Sequence, residues 1–157
     1  MREVLLVWVG RRAPAAIEGL AGEYASRLSR HVKFGEVRVR PAGGRIDVRR
    51  ALAEEAGAVR RHLREGDTVV ALDERGRERT TEEFARWLAG RRRLGRTVFV
   101  VGSDLGLDPE LKGEADEIFA LSRLTLPHTL ARVLLLEQLY RAYDLVGGGQ
   151  YHRGDIG

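Results

Sequence analysis

The chain has 157 residues, 43% of them hydrophobic, which is enough to bury one core and too few for two full domains. It contains no cysteine, so disulfides, thiolate metal sites and a cysteine nucleophile are excluded. The net charge is +4, and 25 of the 27 basic residues are arginine, which favours a nucleic acid partner, although a GC-rich or heat-adapted genome also favours arginine.

The chain opens with the apolar run VLLVWV, which Gly10, Arg11 and Arg12 follow. Six residues are too few for a signal peptide or a membrane span. We therefore expect a single cytoplasmic domain over residues 1–157 that makes no contact with a membrane.

Apolar runs alternate along the chain with helical patterns. Strands are predicted at residues 3–9, 34–40, 68–73, 97–102 and 117–122. Helices are predicted from Pro14 to about Arg30, over 46–65, from a capping box at Thr80–Glu83 to about Arg93, and from the Pro127-His128 pair onward. Strict alternation predicts an α/β fold with an open, mainly parallel sheet and helices on both faces. The segment 34–40 alternates with period two, which places it nearer the sheet edge.

In such sheets ligands bind beyond the carboxyl ends of the strands. Three of those ends are distinctive: LDERG (72–76), GSDLG (102–106) and LSRLTLPH (121–128). Taken singly, they are also explained by a turn, by loop glycines and by a helix start. The glycine-rich motifs of dinucleotide and triphosphate sites are missing, as is G-x-S-x-G, and the four histidines lack metal-ligand spacing.

The last predicted helix is apolar on most of its surface. Its polar residues form one narrow stripe of Glu137, Gln138, Arg141 and Asp144. A helix on the surface of a monomer needs only one apolar face, so this pattern favours packing against the sheet and against a second copy of the chain. A central helix enclosed by a single chain is the alternative.

Four segments occur in a distinctive order: LDERGRERTTEEFA, VFVVGSDLG, LSRLTLPHTLARVLLLEQLYRAY and finally YHR. In this the chain resembles the RlmH-type ribosomal RNA methyltransferases of the SPOUT class, which methylate N3 of a pseudouridine in large-subunit (23S) ribosomal RNA. The resemblance runs from VWVG at the start to YHR near the end. LTLPH followed by RVLLLEQLYRAY is the most specific part.

The resemblance implies a deep trefoil knot near the C-terminus, S-adenosylmethionine held in the knotted loops without a metal, and a homodimer. It also implies a cofactor site that consists of Leu72, Gly102, Leu121, Ser122, Arg123, Leu124, Thr125 and Leu126. Alternating leucines can form an apolar slot for adenine.

The tail is implied to supply the catalytic groups. His152 can accept a proton, Tyr151 can stack on a base or bond to it, and Arg153 can hold a phosphate or the anionic base. If two copies pair through the last helix, the tail comes close to the partner. We therefore expect an active site that is composite between subunits. Without the resemblance, the residue pattern of the tail is that of a frayed terminus. His128 is the alternative candidate for the catalytic histidine, but its expected role is to hold local structure.

Two departures from the family pattern stand out. Ser103 follows Gly102 where a second glycine is common, so we expect Ser103→Gly to bind cofactor as well as the parent or better. The chain also continues past YHR with Gly154, Asp155, Ile156 and Gly157.

Two other functional classes stay open: a ribosome-associated RNA-binding protein of the same fold without catalysis, and a small α/β nucleotide-binding protein unrelated to RNA. For an RNA substrate, two arginine clusters are expected to flank the cofactor end and hold phosphates. They are Arg75, Arg77 and Arg79, and Arg91, Arg92, Arg93 and Arg96.

Overall fold

The computed structural model of the chain describes residues 2–44, 46–91 and 95–154, of which 153 and 154 are described by their backbone alone. The strands are β1 (Glu3–Val9), β2 (Lys33–Val39), β3 (Thr68–Glu78), β4 (Thr97–Val101) and β5 (Glu117–Ala120). The helices are α1 (Ala15–Leu28), α2 (Val48–Arg60), α3 (Thr81–Gly90), α4 (Pro109–Glu114), α5 (His128–Val146) and α6 (Tyr151–Gly154).

The five strands form one sheet in the order β2-β1-β4-β3-β5. Every neighbouring pair is parallel, and β2 lies at an edge. The prediction of an open parallel α/β sheet with segment 34–40 at its edge is therefore confirmed. The trefoil knot and the single-domain boundary at 1–157 stay predictions.

Helices cover both faces of this sheet. Leu6, Trp8 and Phe99 point to one face, where they pack with buried residues of α1, α3 and α5. Val7 and Val98 point to the other, where α2 and α4 supply Ala56, Val59 and Leu111. None of the helices in the described part of the chain combines the length and the apolar content that a bilayer crossing requires.

Strand β3 is longer than the predicted segment 68–73 and runs on to Glu78. The extension pairs with β5 after a shift of register, with Arg77 opposite Phe119. Gly76 permits this close approach, because a Cβ atom there would lie 2.7 Å from the carbonyl oxygen of Ile118. LDERG is therefore part of an irregular strand and not a simple turn.

Several helices differ from the prediction: α3 ends at Gly90 and not near Arg93, and α6, in the tail, was not predicted. Helix α2 ends at Arg60, five residues before the predicted end, because Asp67 accepts a hydrogen bond from the Arg64 amide at 2.8 Å in the turn that follows. Helix α4 was not predicted at all. Asp108 caps it by accepting from the Leu111 amide at 3.1 Å, and Pro109 is its first residue.

A buried arginine connects α5 to α1 and β2. The Arg132 residue is 4% exposed, and its guanidinium lies 4.3 Å from the centre of the Trp8 ring. It donates to Glu18 at 2.8 and 3.1 Å and to Glu36 at 2.7 and 3.2 Å. Four charge-assisted hydrogen bonds thus hold the first turns of α5 against the sheet.

We expect Arg132→Leu to lower the free energy of unfolding at pH 7 by about 2 kcal/mol, because two carboxylates lose their cation. Hydrogen bonds from Arg132 lower the pKa of Glu18 in the folded state. The stabilisation is therefore present above the unfolded pKa and is lost as the pH falls through the folded one, so the difference between parent and variant narrows in acid. Urea unfolding of the parent and the variant at several pH values measures this difference in the free energy of unfolding.

Arg60→Leu is the matched control, because it breaks an exposed pair with Glu114 at 3.1 Å. Its expected cost is about 0.5 kcal/mol. Equal costs for the two variants would mean that the buried contacts of Arg132 do not hold α5.

Candidate active site

A cleft of about 530 Å³ opens at the carboxyl ends of β4 and β5 and at the irregular middle of β3. Its walls are residues 72–75, residues 101–107 with Lys112, and residues 121, 122, 124–128 and 131. These are the three strand ends that the sequence singled out, and the fold brings them together. Seven of the eight residues predicted for the cofactor line this cleft: Leu72, Gly102, Leu121, Ser122, Leu124, Thr125 and Leu126.

The eighth, Arg123, is not in the lining. Its side chain is 82% exposed and lies 3.6 Å from Glu78 at the outer side of the segment. Leu124 is 75% exposed at the rim, whereas Leu121 and Leu126 are half-buried. Of the three leucines expected to form the apolar slot, Leu121 and Leu126 are therefore partly buried, and Leu124 is exposed to solvent.

The loop after β4 is compact. A Cβ atom on Gly102 would lie 2.4 Å from the carbonyl oxygen of Gly106, and Gly106 itself has a φ of +87°. The Gly106 amide donates to the carbonyl of Ser103 at 2.8 Å, which closes a tight turn. Glycine at position 102 is therefore required by the close approach of the loop to itself.

Ser103 connects this loop to α2. Its hydroxyl donates to Glu55 at 2.8 Å, and the other carboxylate oxygen of Glu55 accepts from the Ala42 amide at 3.0 Å. Glu55 is only 5% exposed, so this hydrogen bond lies in the interior. The sequence did not reveal this contact, and Ser103→Gly was therefore expected to bind the cofactor at least as well as the parent.

Other side chains join the walls. Lys112 of α4 lies 3.0 Å from Asp73, and the Thr125 hydroxyl donates to Glu74. Although burial opposes ionisation, the Arg75 amide and Lys112 lower the pKa of Asp73, so this carboxyl is charged at neutral pH. Lys112 was not among the predicted site residues, because helix α4 was not predicted.

His128 lies at the base of the third wall. Its Nδ1 is 2.7 Å from Asp104, and a Cβ atom on Gly10 would lie 2.7 Å from its Nε2. The ring is therefore held between the end of β1 and the loop after β4, in line with the local structural role expected for it.

The whole chain matches known proteins. The family described as predicted SPOUT methyltransferase matches residues 2–152. The chain belongs to this family. Ribosomal RNA large subunit methyltransferase H from Verminephrobacter eiseniae is 44% identical over 154 residues, which cover 96% of this chain and 99% of the relative. The protein of the same name from Gloeobacter violaceus is 41% identical over 152 residues, with the same coverage. The predicted resemblance to the RlmH-type SPOUT enzymes is confirmed.

Solved structures agree on the fold. A probable methyltransferase from Bordetella pertussis is 20% identical, covers 90% of this chain and 95% of its own, and has a TM-score of 0.54. A probable methylase family protein from Haemophilus influenzae is 15% identical, covers 96% and 70%, and has a TM-score of 0.55. At these identities the likeness supports the fold alone.

In this SPOUT methyltransferase two of the predicted catalytic residues of the tail, Tyr151 and His152, lie outside the cleft of their own chain. The Tyr151 hydroxyl donates to Glu137 at 3.1 Å, and its ring centre is 4.7 Å from that of Tyr140. His152 lies 2.8 Å from Glu82 of α3 and 3.3 Å from Arg141 of α5. The side chain of Arg153 and residues 155–157 lie outside the described residues.

The predicted arginine clusters are only partly available to RNA. Arg96 precedes β4, at the opposite end of the sheet from the cleft, and pairs with Asp67 at 2.7 Å, so its expected place beside the cofactor is wrong. Arg79 is also engaged, since it pairs with Glu117 and lies 5.1 Å from the centre of the Trp87 ring. Arg75 and Arg77 are exposed. Arg92 and Arg93, which were also predicted to hold phosphates, lie outside the described residues.

We expect Gly102→Ala to cost about 2 kcal/mol of stability, because its methyl group collides with a backbone carbonyl that cannot rotate away. Gly113→Ala is the matched control. It lies in α4 with nothing within 4 Å of a Cβ atom, so it should be neutral or stabilise by up to about 1 kcal/mol. Urea unfolding of both variants measures the difference. A neutral Gly102→Ala would mean that the loop moves freely.

Proposed function

We propose that this protein transfers the methyl group of S-adenosylmethionine to N3 of a pseudouridine in 23S ribosomal RNA, in the cytoplasm and within the large subunit or the assembled ribosome. The observation that carries the proposal is the near full-length match to relatives named ribosomal RNA large subunit methyltransferase H. The cleft supports it, because seven residues expected at the cofactor come together there.

The residues of the cleft suit this cofactor. Leu72, Leu121 and Leu126 offer apolar surface to an adenine ring, and the backbone of residues 121–126 offers donors and acceptors. The compact loop at Gly102 brings bare backbone to the cleft. When bound, S-adenosylmethionine supplies an electrophilic methyl group on a sulfonium. What remains for the protein is to align the acceptor nitrogen and to remove its proton.

For the second task the tail offers two candidate groups, Tyr151 and His152. Burial and the nearby charge of Glu137 raise the pKa of Tyr151 well above its usual range, so the phenol stays protonated and acts as a donor. His152 is then the candidate base. Its hydrogen bond lowers the pKa of Glu82, which keeps an acceptor charged beside the ring. The role of Arg153 stays a prediction.

A homodimer would bring tail and cleft together. Leu130 and Leu134 of α5 are 44% and 41% exposed, and Leu20 of α1 is 41% exposed. The rest of the apolar surface of α5 packs inside the chain, and its polar stripe is half-buried and hydrogen-bonded, so the apolar face for a partner is smaller than the sequence suggested. We place the second copy on this leucine face, with its tail at the cleft of the first.

The first test is a titration with S-adenosylmethionine by calorimetry, without added metal, followed by methyl transfer to ribosomal subunits from cells that lack this protein. Binding and incorporation at N3 of a pseudouridine are the expected results. Binding to the ribosome without methyl transfer would favour the non-catalytic RNA-binding protein. No heat at saturating cofactor would remove the cofactor assignment.

The same titration can be repeated with variants at Ser103. Because its hydroxyl anchors the loop to Glu55, we now expect Ser103→Gly to weaken cofactor binding severalfold, at a cost of about 1 kcal/mol. Ser103→Thr keeps the hydroxyl and serves as the control. If Ser103→Gly binds the cofactor as tightly as the parent, the hydrogen bond to Glu55 does not matter for binding, and the expectation from the sequence is correct.

The composite site is tested with a mixed dimer. One chain lacks residues 150–157, and the other keeps its tail but carries Leu126→Arg in the cleft. Crossing tails leave one complete site, so we expect up to half of the parental activity, whereas tails acting within their own chain leave none. An inactive mixed dimer, with both parents still dimeric, contradicts the crossing arrangement.

A further inference from the structure

A second groove lies beside the active site, between the end of β2 and the second half of α2. We call it the β2–α2 groove; its volume is about 500 Å³. Its lining consists of residues 38–43 of one segment and residues 54, 55, 58, 61 and 62 of the other. None of these residues belongs to the cofactor cleft.

Cationic side chains border this groove. Arg38, Arg40 and Arg61 are exposed there, together with His62. Within the described part of the chain, Arg40 and Arg61 form no ion pair and no side-chain hydrogen bond. Arg79, Arg96 and Arg132, by contrast, are engaged with carboxylates. A guanidinium without an acidic partner remains available to a phosphate oxygen.

The rest of the groove suits a nucleotide. Pro41 and Ala58 give it apolar surface, on which the face of a base or a ribose can lie. Glu54 is exposed and offers a carboxylate that can accept from a ribose 2′-hydroxyl or a base amino group. The carboxylate of Glu55 is buried and already accepts from Ser103 and Ala42.

The groove and the cofactor cleft are connected at two points, once through Gly10 and once by a direct hydrogen bond. Arg38 donates to the carbonyl of Gly10 at 3.1 Å, and Gly10 packs against His128 of the cleft. On the other side Glu55, which lines the groove, accepts from Ser103, which lines the cleft. A strand bound in the groove would therefore pass beside the site where the methyl group is transferred.

We infer that the β2–α2 groove holds the backbone of the RNA strand that carries the target base, with Arg40 and Arg61 on its phosphates. The inference rests on the proposed function, since it takes RNA as the substrate. In this arrangement the β2–α2 groove, and not the cluster around Arg96, makes the main phosphate contacts.

The test is the double variant Arg40→Glu/Arg61→Glu. Its affinity for large ribosomal subunits from cells that lack this protein should fall at least tenfold. The slope of the logarithm of the association constant against the logarithm of the salt concentration should flatten by about 1.4, as expected for two lost phosphate contacts on a single strand. Its affinity for S-adenosylmethionine and its unfolding temperature should match the parent.

Arg30→Glu/Lys33→Glu is the matched control. It makes the same change of charge at exposed positions before the amino end of β2 and at its first residue, and should leave binding within twofold of the parent. Equal losses in the two doubles would overturn the inference, since net charge alone would then explain binding.

The outcomes separate the inference from the proposed function. If the parent methylates the RNA and the groove double binds subunits normally, the inference is wrong and the proposed function stands. If the groove double loses binding but the parent transfers no methyl group, the groove is an RNA site and the proposed enzyme activity is wrong. A parent that does not bind subunits at all overturns both.

Discussion

The charge of Arg132 is the constraint on which the position of α5 depends. A guanidinium stays charged even when it is 4% exposed, so carboxylates must lie beside it to offset its desolvation, and here Glu18 and Glu36 come from α1 and β2. These contacts fix the first turns of α5 relative to the edge of the sheet. Because His128 begins this helix and the tail follows its end, one buried ion cluster sets the position of a cleft wall and of the tail together.

The cleft itself is held by side chains from elements that are distant in the chain. Glu55 of α2 anchors the loop after β4, Lys112 of α4 holds Asp73, and Glu74 contacts Thr125. Helices α2 and α4, which cover the second face of the sheet, thus shape a cleft that opens at the ends of the strands. This matters for methyl transfer, because the reaction gains mainly from alignment, and alignment requires walls that do not move.

The sequence predicted the strands well because β1, β4 and the first half of β3 are nearly continuous apolar runs, as buried parallel strands must be, and β2 alternates with period two, as an edge strand can. It predicted less where structure depends on non-local contacts. The extension of β3 to Glu78 requires β5, and the Ser103–Glu55 hydrogen bond joins residues 48 apart in the chain. Helix α4 is a different case. Its Asp108-Pro109 cap was visible in the sequence, and the misplacement of Arg96 was also avoidable, since it precedes its strand.

The tail shows how a fold can place reactive groups away from their own cleft. Tyr151 and His152 are held by Glu137 on α5 and Glu82 on α3, so their position follows those helices and not the cofactor loops. In the proposed dimer, the cleft of one chain must then approach the tail of the other. The packing of the leucine face would set the distance between base and methyl donor. Substitutions on that face would therefore change the rate of transfer even where the chain stays folded and the cofactor still binds.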